Sequence, residues 1–373
     1  MQKLTKTLLG LCVGASLLAP VLGLAEALRI GVGGPFSGPY AAFGEQMWRG
    51  AEMAVQDINQ AGGVNGNKID LLKGDDACEP KQAVAVANRF VDKDGVKAVV
   101  GHFCSASTIP ATQVYAEGGV LAITPGSTNP LVTDRNLSTV FRTCGRDDQQ
   151  GKVGAEFLLN RMKLKKIAVV HDKTTYGQGL ANAMRERMHQ LGVTEVLYEG
   201  ITQGEKDFNA LVTKIKSTGA EAVYFGGLHS EAGPMVRQIR EQGMKIPFVS
   251  GDGVVSKDLI ISAGGPSYLE GVYMTFGADP RKIAAGKELV ERFRKAGYEP
   301  EGYTLYAYAT MQAIVAAMQA TKSNDAQPLA DWLHKNTVTT VMGPKAWDAK
   351  GDLTTSDYVV YQWDNKGNYA EMP

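Results

Sequence analysis

Histidine and cysteine are scarce in this sequence, which has five histidines and four cysteines among 373 residues. No two histidines have the spacing of metal ligands, and neither CxxC nor HExxH occurs. The pattern GxSxG is missing as well, because the glycines of GPFSG stand at other offsets. Since no paired base and nucleophile can be found, the sequence predicts neither a metal site nor an enzyme.

A nucleotide-binding loop is also absent from the sequence. Gly31, Gly33 and Gly34 end the first predicted strand, but Phe36 stands where GxGxxG needs its third glycine. The pattern GxxxxGK[ST] does not occur either. We interpret these glycines as a tight turn with close packing, and we expect no cofactor.

An excess of charge of either sign is lacking too. Lysine and arginine number 39, and aspartate and glutamate also number 39. Removal of Lys3 and Lys6 with an N-terminal signal would leave 37 basic against 39 acidic residues, a net charge of about −2. Such a balance argues against a nucleic-acid partner.

Long apolar runs are limited to one, TLLGLCVGASLLAPVLGLA, near the N-terminus. Lys3 and Lys6 precede this run, and Gly23 and Ala25 are small residues placed for cleavage before Glu26. A membrane anchor is the alternative, but Pro20 and several small residues interrupt the run. We therefore predict that residues 1–25 are a signal peptide and that the protein is exported.

Three cysteines remain after that cleavage, and export to an oxidising compartment favours a disulfide between two of them. Cys78 and Cys104 each follow a predicted strand of the same sheet, so their loops should lie close together. We predict a Cys78–Cys104 disulfide that holds the following turn rigid. Cys144 is then left over as a buried apolar residue.

Strand and helix patterns alternate along the rest of the chain in two tandem series, the second beginning near residue 150. About 348 residues remain after cleavage, more than one core usually holds. The predicted fold class is therefore α/β with two doubly wound lobes.

The segment GHFCSASTIPATQVYAEGGVLAITPGST contains the most informative feature of the chain. Two apolar strands each run into a turn of small and hydroxyl residues, and the turns should meet at one sheet edge. Ser105 begins the helix between the strands, where unpaired amide N–H groups attract an anion. Gly126 and Thr128 follow the next strand. This arrangement predicts a site for a small carboxylate.

Several segments in series closely resemble the periplasmic branched-chain amino acid binding proteins, which are the solute receptors of ABC importers. The matching segments include GGPFSGPYAAFGEQ, VVGHFCSASTIPA, ITPGST, HDKTTYGQGLA, GEKDFNALV, VYFGGLHSE and MGPKAWDAKGDL. The resemblance implies a periplasmic, monomeric protein of type I fold whose two lobes are joined by three hinge crossings. Lobe one would be 26–146 plus 276–357, and lobe two 147–275 plus 358–373.

The resemblance also implies roles for single residues. Ser105 matches a residue that binds the α-carboxylate of the ligand, and Gly126 and Thr128 match contacts to its carboxylate and ammonium. Asp252 stands where branched-chain receptors have a glutamate that pairs with the ammonium. Tyr176 matches a tyrosine that closes over the ligand.

Four pocket residues depart from the branched-chain pattern. Phe103 replaces a leucine, Phe43 and Leu228 replace tyrosines, and Tyr303 stands near a position that is often phenylalanine. Phe103 and Tyr303 should both reduce the pocket volume.

Two ligand hypotheses therefore stay open. The first is a smaller or longer-backbone ligand such as alanine, serine, valine, proline or γ-aminobutyrate. The second is leucine, isoleucine or valine, bound after slight loop shifts. In either case the expected partner is the membrane permease of an ABC importer, and a sensory ligand-binding module is the alternative function.

Overall fold

Two largely parallel β-sheets organise the chain in this computed structural model, which describes residues 27–355 and 357–373. The signal peptide predicted for residues 1–25 lies outside the described residues. The strands are β1 Leu28–Gly34, β2 Ile69–Asp75, β3 Ala98–Val100, β4 Leu121–Thr124, β5 Val140–Arg142, β6 Ile167–His171, β7 Leu197–Gly200, β8 Ala222–Gly226, β9 Phe248–Ser250, β10 Val272–Gly277, β11 Val338–Thr340, β12 Gly343–Lys345, β13 Tyr358–Trp363 and β14 Tyr369–Glu371. The α-helices are α1 Ala41–Gln60, α2 Pro80–Asn88, α3 Ser105–Glu117, α4 Asp147–Glu156, α5 Thr175–Gln190, α6 Asn209–Ser217, α7 His229–Glu241, α8 Asp258–Ala263, α9 Ala284–Lys295, α10 Thr304–Thr321 and α11 Ala326–Leu333.

The first sheet has the order β2-β1-β3-β4-β5, and all its strands are parallel. β3 and β4 are buried at every residue. Near-continuous apolar runs such as KAVVG and LAIT suit this position, because helices cover both faces of the sheet. We call this sheet, with α1–α3 and α9–α11, lobe one.

Helices α1 and α10 pack closely against each other in lobe one. α1 buries Phe43, Met47, Ala51 and Ala54 on one face, at the spacing of an amphipathic helix. The approach is so close at Gly50 that a Cβ there would lie 2.0 Å from a backbone oxygen of α10. This packing fixes the start of α10, which borders the cavity described below.

The second sheet has the order β14-β13-β10-β9-β8-β6-β7. Its first two strands are antiparallel to their neighbours, and the others are parallel. We call this sheet, with α4–α8, lobe two. The chain crosses between the lobes after β5, after β10 and before β13. The predicted fold class, two doubly wound α/β lobes joined by three crossings, is confirmed. In the part of the chain that the structure describes, no helix is both long and apolar enough to span a bilayer.

The predicted Cys78–Cys104 disulfide is present, with Cα atoms 5.4 Å apart. Below it, the fully buried His102 ring contacts Asp76 at 2.5 Å and the Tyr115 hydroxyl at 2.8 Å. The Asp76 carboxylate also accepts the Cys78 backbone N–H at 2.8 Å. The disulfide and the hydrogen-bonded Asp76, His102 and Tyr115 side chains together connect the loop after β2 to the loop that begins α3.

Replacement of both Cys78 and Cys104 by serine should lower the free energy of unfolding by about 3 kcal/mol, because the closed loop spans 26 residues. Urea denaturation measures this loss. A reductant should reproduce it in the wild-type protein and leave the double variant unchanged. An equal effect of the reductant on both proteins would contradict the expectation.

Candidate ligand-binding site

A cavity of about 230 Å³ lies between the two lobes and is lined by residues of both. Seven of the nine residues predicted to bind ligand line it: Ser105, Gly126, Tyr176, Asp252, Phe103, Leu228 and Tyr303. Residues that the sequence analysis did not predict complete the lining: Cys78, Glu79, Pro80, Cys104, Ala106, Lys173, Thr174, Thr175, Gln203 and Gly253.

The start of α3 forms one end of the cavity. Cys104 is the N-cap residue and makes no side-chain capping bond, and Ser105 and Ala106 line the cavity just after it. The first N–H groups of a helix have no acceptor within the helix and carry a partial positive charge. The Ser105 hydroxyl accepts the backbone N–H of Asn129 at 3.3 Å. This end of the cavity therefore suits a carboxylate.

The turn after β4 lies beside that helix start. The Thr124 hydroxyl accepts the N–H groups of Gly126 and Ser127 at 3.2 and 2.9 Å. Gly126 lines the cavity, whereas Thr128 is buried and is not part of the lining. Within the described residues the Thr128 hydroxyl has no hydrogen-bond partner.

An aromatic wall closes a third side of the cavity. Phe103 and Tyr303 pack edge to face with ring centroids 4.9 Å apart. Phe43 lies behind them, fully buried and stacked on Phe103 at 4.3 Å, so it supports the wall without lining the cavity. A Cβ at Gly126 would lie 2.6 Å from the Phe103 ring. The wall is therefore fixed from behind and from the side.

Asp252 stands in lobe two with its carboxylate buried, although it also lines the cavity. Tyr176 of α5 donates to one of its oxygens at 2.8 Å, and Tyr303, at the start of α10 in lobe one, donates to the other at 2.6 Å. Burial raises the pKa of Asp252, and the two hydroxyl donors oppose this rise. The Tyr303–Asp252 hydrogen bond joins the lobes.

A second buried acid, Asp147, begins α4 behind the site. Neither of its carboxylate oxygens has a hydrogen-bond partner among the described residues. Burial and the negative charge of Asp252 raise the pKa of Asp147 well above its ordinary value. Asp147 could not be recognised from the sequence, because RDDQQ is typical of a solvated helix start with acids in the first turn.

The loop that leads into α5 forms the lobe-two rim of the cavity. The Asp172 carboxylate accepts the Thr174 backbone N–H at 2.9 Å and its hydroxyl at 2.6 Å, and the Thr174 hydroxyl caps the helix at Gly177. Burial raises the pKa of Asp172 to about 6. Asp172 thus holds the loop that presents Thr174 and Tyr176 to the cavity.

Further hydrogen bonds join the lobes around the cavity. Gln203 of lobe two donates to the Tyr40 hydroxyl of lobe one at 2.9 Å, and the buried Glu231 lies 3.5 Å from that hydroxyl. Burial and the charge of Glu231 raise the pKa of Tyr40 to about 12. On the other side, the Asn129 amide donates to the Thr175 carbonyl at 2.8 Å. The lobes are therefore in direct contact on both sides of the cavity.

Chemically, the cavity offers N–H donors at one end, a buried carboxylate at the other and an aromatic wall between them. These groups suit a small molecule with an anionic and a cationic group. Over residues 27–355 and 357–373, no cluster of three or more His, Cys, Asp or Glu side chains could hold a metal ion.

Most of the sequence matches the model of a known protein family. A sequence model of the family described as periplasmic binding protein covers residues 27–368. The chain belongs to the periplasmic binding protein family. This periplasmic binding protein is 62% identical over 368 residues to an amino acid binding protein of Pseudomonas aeruginosa, with 99% of this chain and 98% of that relative covered. It is 41% identical over 367 residues to the Leu/Ile/Val-binding protein of Escherichia coli, with 98% of each chain covered.

Solved structures of similar proteins agree with this assignment. The leucine binding protein LivK of Thermotoga maritima superposes with a TM-score of 0.87 at 27% identity, covering 93% of this periplasmic binding protein and 98% of that chain. LivJ of Streptococcus pneumoniae in complex with isoleucine gives a TM-score of 0.86 at 26% identity, covering 93% and 99%. The predicted resemblance to branched-chain amino acid binding proteins and the predicted type I fold are both confirmed.

The raised pKa of Asp172 predicts a pH dependence of stability. Its ordinary value is 3.8, so the folded state keeps this proton up to about pH 6 while the unfolded chain releases it near pH 4. Stability should therefore fall as pH rises from about 4 to 6, by roughly 3 kcal/mol from this group. The Asp172→Asn variant cannot ionise at this position, so its stability should depend less on pH over this range. The midpoint of urea denaturation, measured at each pH, reports this dependence. Asp70→Asn, at an exposed position, is the control, and identical slopes in all three proteins would refute the assignment.

Proposed function

We propose that the protein is a periplasmic receptor that binds an amino acid between its lobes and delivers it to the membrane permease of an ABC importer. The observation that carries the proposal is the cavity with the start of α3 at one end and the buried Asp252 at the other. The proposal involves binding without turnover.

The two charged groups of an amino acid match these two ends. The ligand carboxylate would accept N–H groups at Ser105 and Ala106, where the helix start favours negative charge. The ligand ammonium would donate to the carboxylate of Asp252, with the Gly126 carbonyl as a further acceptor. A buried charge is costly unless it is paired. A zwitterion between the lobes supplies a partner for each end and thereby favours closure.

Closure would follow from the division of these partners between the lobes. Ser105 and Gly126 belong to lobe one, whereas Tyr176 and Asp252 belong to lobe two. Each lobe alone would supply binding partners for only part of the ligand. We propose lobe boundaries close to 26–146 plus 276–357 and 147–275 plus 358–373, with the second crossing at the end of β10, whose last residues still pair in the lobe-two sheet. We also propose a monomer whose closed form the permease recognises.

The aromatic wall favours the smaller or longer-backbone ligands over leucine. Phe103 cannot move back, because Phe43 stacks behind it, and its ring packs so closely on Gly126 that a Cβ there would lie 2.6 Å away. Tyr303 is fixed by its hydrogen bond to Asp252 and by the bond from its backbone N–H to Gln46 at 3.0 Å. A branched side chain placed against this wall would overpack it at a cost of roughly 1–3 kcal/mol.

Asp252→Ala should weaken binding of the preferred amino acid by about 2 kcal/mol or more, because the ligand ammonium loses its buried counter-charge. Titration calorimetry measures the change. Asp70→Ala, an exposed acid of lobe one, is the matched control and should bind like the wild type. Unchanged affinity in Asp252→Ala would show that the ammonium assignment is wrong.

Wild-type protein titrated with L-leucine, L-alanine and γ-aminobutyrate should bind alanine or γ-aminobutyrate more tightly than leucine. Phe103→Leu removes part of the wall and should shift the preference toward leucine by roughly tenfold. Leu329→Ala, a core change in α11 away from the cavity, is the control and should keep the wild-type preference. Tight leucine binding by the wild type, with no measurable binding of the other two compounds, would contradict the small-ligand hypothesis.

A further inference from the structure

Arg142, the last residue of β5, is fully buried behind the turn that borders the cavity. Its guanidinium donates to the Ser127 carbonyl at 2.8 Å and to the Asn129 carbonyl at 3.1 Å. These carbonyls flank Thr128 on both sides. A planar guanidinium has several donors in a fixed geometry, so two bonds to one turn define the position of that turn.

The same guanidinium is paired with an acid from a distant part of the chain. Its Nε lies 2.7 Å from Asp352 Oδ1, in an ion pair whose N–H is not aligned for a hydrogen bond. Thr133 links the two side chains, because its hydroxyl accepts from Arg142 at 2.8 Å and donates to Asp352 at 2.7 Å. Asp352 lies in the third crossing, between β12 and β13.

The first crossing reaches the same acid through Arg146, which precedes α4. Arg146 contacts the second Asp352 oxygen at 2.6 Å and Asp134 of lobe one at 3.1 Å. In addition, the Trp347 indole N–H donates to the Arg142 carbonyl at 2.7 Å. Two of the three crossings are thus joined to each other at Asp352, directly beside Arg142.

We infer that Arg142 is a positioning residue, which holds the ligand-bordering turn 126–129 in register with the hinge through Asp352. Two further hydrogen bonds connect this turn to other parts of the site. Asn129 donates to the Thr175 carbonyl in lobe two, and its backbone N–H donates to Ser105 at the start of α3. A shift of the turn would therefore displace the carboxylate end of the cavity and an interlobe contact together. This inference rests on the proposed amino-acid binding function.

Arg142→Lys tests the inference, because lysine keeps the charge but cannot bond both carbonyls and Asp352 in one geometry. The affinities of the wild type and the variant for L-leucine, L-alanine and γ-aminobutyrate are measured by calorimetry under conditions where both are folded. We expect roughly tenfold or more weaker binding of whichever compound the wild type binds. A smaller decrease, roughly threefold, is expected for Thr133→Val, which deletes one acceptor of the guanidinium.

Leu329→Ala separates positioning from general stability. It removes a fully buried side chain of α11 and should lower the urea midpoint without changing affinity. Arg142→Lys with wild-type affinity would overturn the inference, and so would an equal loss of affinity in Leu329→Ala. If Arg142→Lys does not fold, wild-type affinity in Thr133→Val overturns it. A wild type that binds neither these three compounds nor serine, valine, proline or isoleucine would instead refute the proposed function.

Discussion

The buried carboxylate of Asp252 is the group on which the site depends. A carboxylate removed from water must be paired or hydrogen-bonded, and here it is held by one tyrosine from each lobe. The hydrogen bond from Tyr303 fixes that ring against Phe103 and joins the lobes across the cavity, whereas the bond from Tyr176 lies within lobe two. The burial that raises its pKa also makes it a strong partner for a cation that arrives without water. Under the proposed function, specificity and closure would both depend on this side chain.

The opposite end of the cavity is made rigid by a different set of bonds. The Cys78–Cys104 disulfide and the Asp76–His102–Tyr115 chain hold the loop before α3, and Arg142 holds the turn after β4. Cys78 and Cys104 line the cavity, whereas Asp76, His102, Tyr115 and Arg142 are not part of its lining. They hold the N–H donors of the helix start in place within lobe one, where under the proposed function those donors would bind the ligand carboxylate. In lobe two, the rim of the cavity is held by the hydrogen bonds that Asp172 accepts from Thr174.

Much of this could be predicted from the sequence, because the informative signals are local. Alternating apolar runs predict the two α/β lobes, the strand-end cysteines predict the disulfide, and small hydroxyl residues after two strands predict the start of α3 as an anion site. Asp147, Arg142 and Asp352 could not be predicted, since a charged residue in a polar segment gives no sign of burial. Phe43 illustrates the reverse case: it was predicted to contact ligand, and it stands one layer behind the cavity. The contacts of the seven lining residues with a ligand stay predictions.

The central claim is that one molecule satisfies the start of α3 and Asp252 at the same time. The most direct test is titration calorimetry with L-alanine, L-leucine and γ-aminobutyrate. Each is compared with the carboxylic acid that lacks its amine and with the amine that lacks its carboxylate. The account predicts measurable binding of at least one of the three amino acids and none of its single-charge counterparts. Comparable binding of a carboxylic acid that lacks the amine would contradict it.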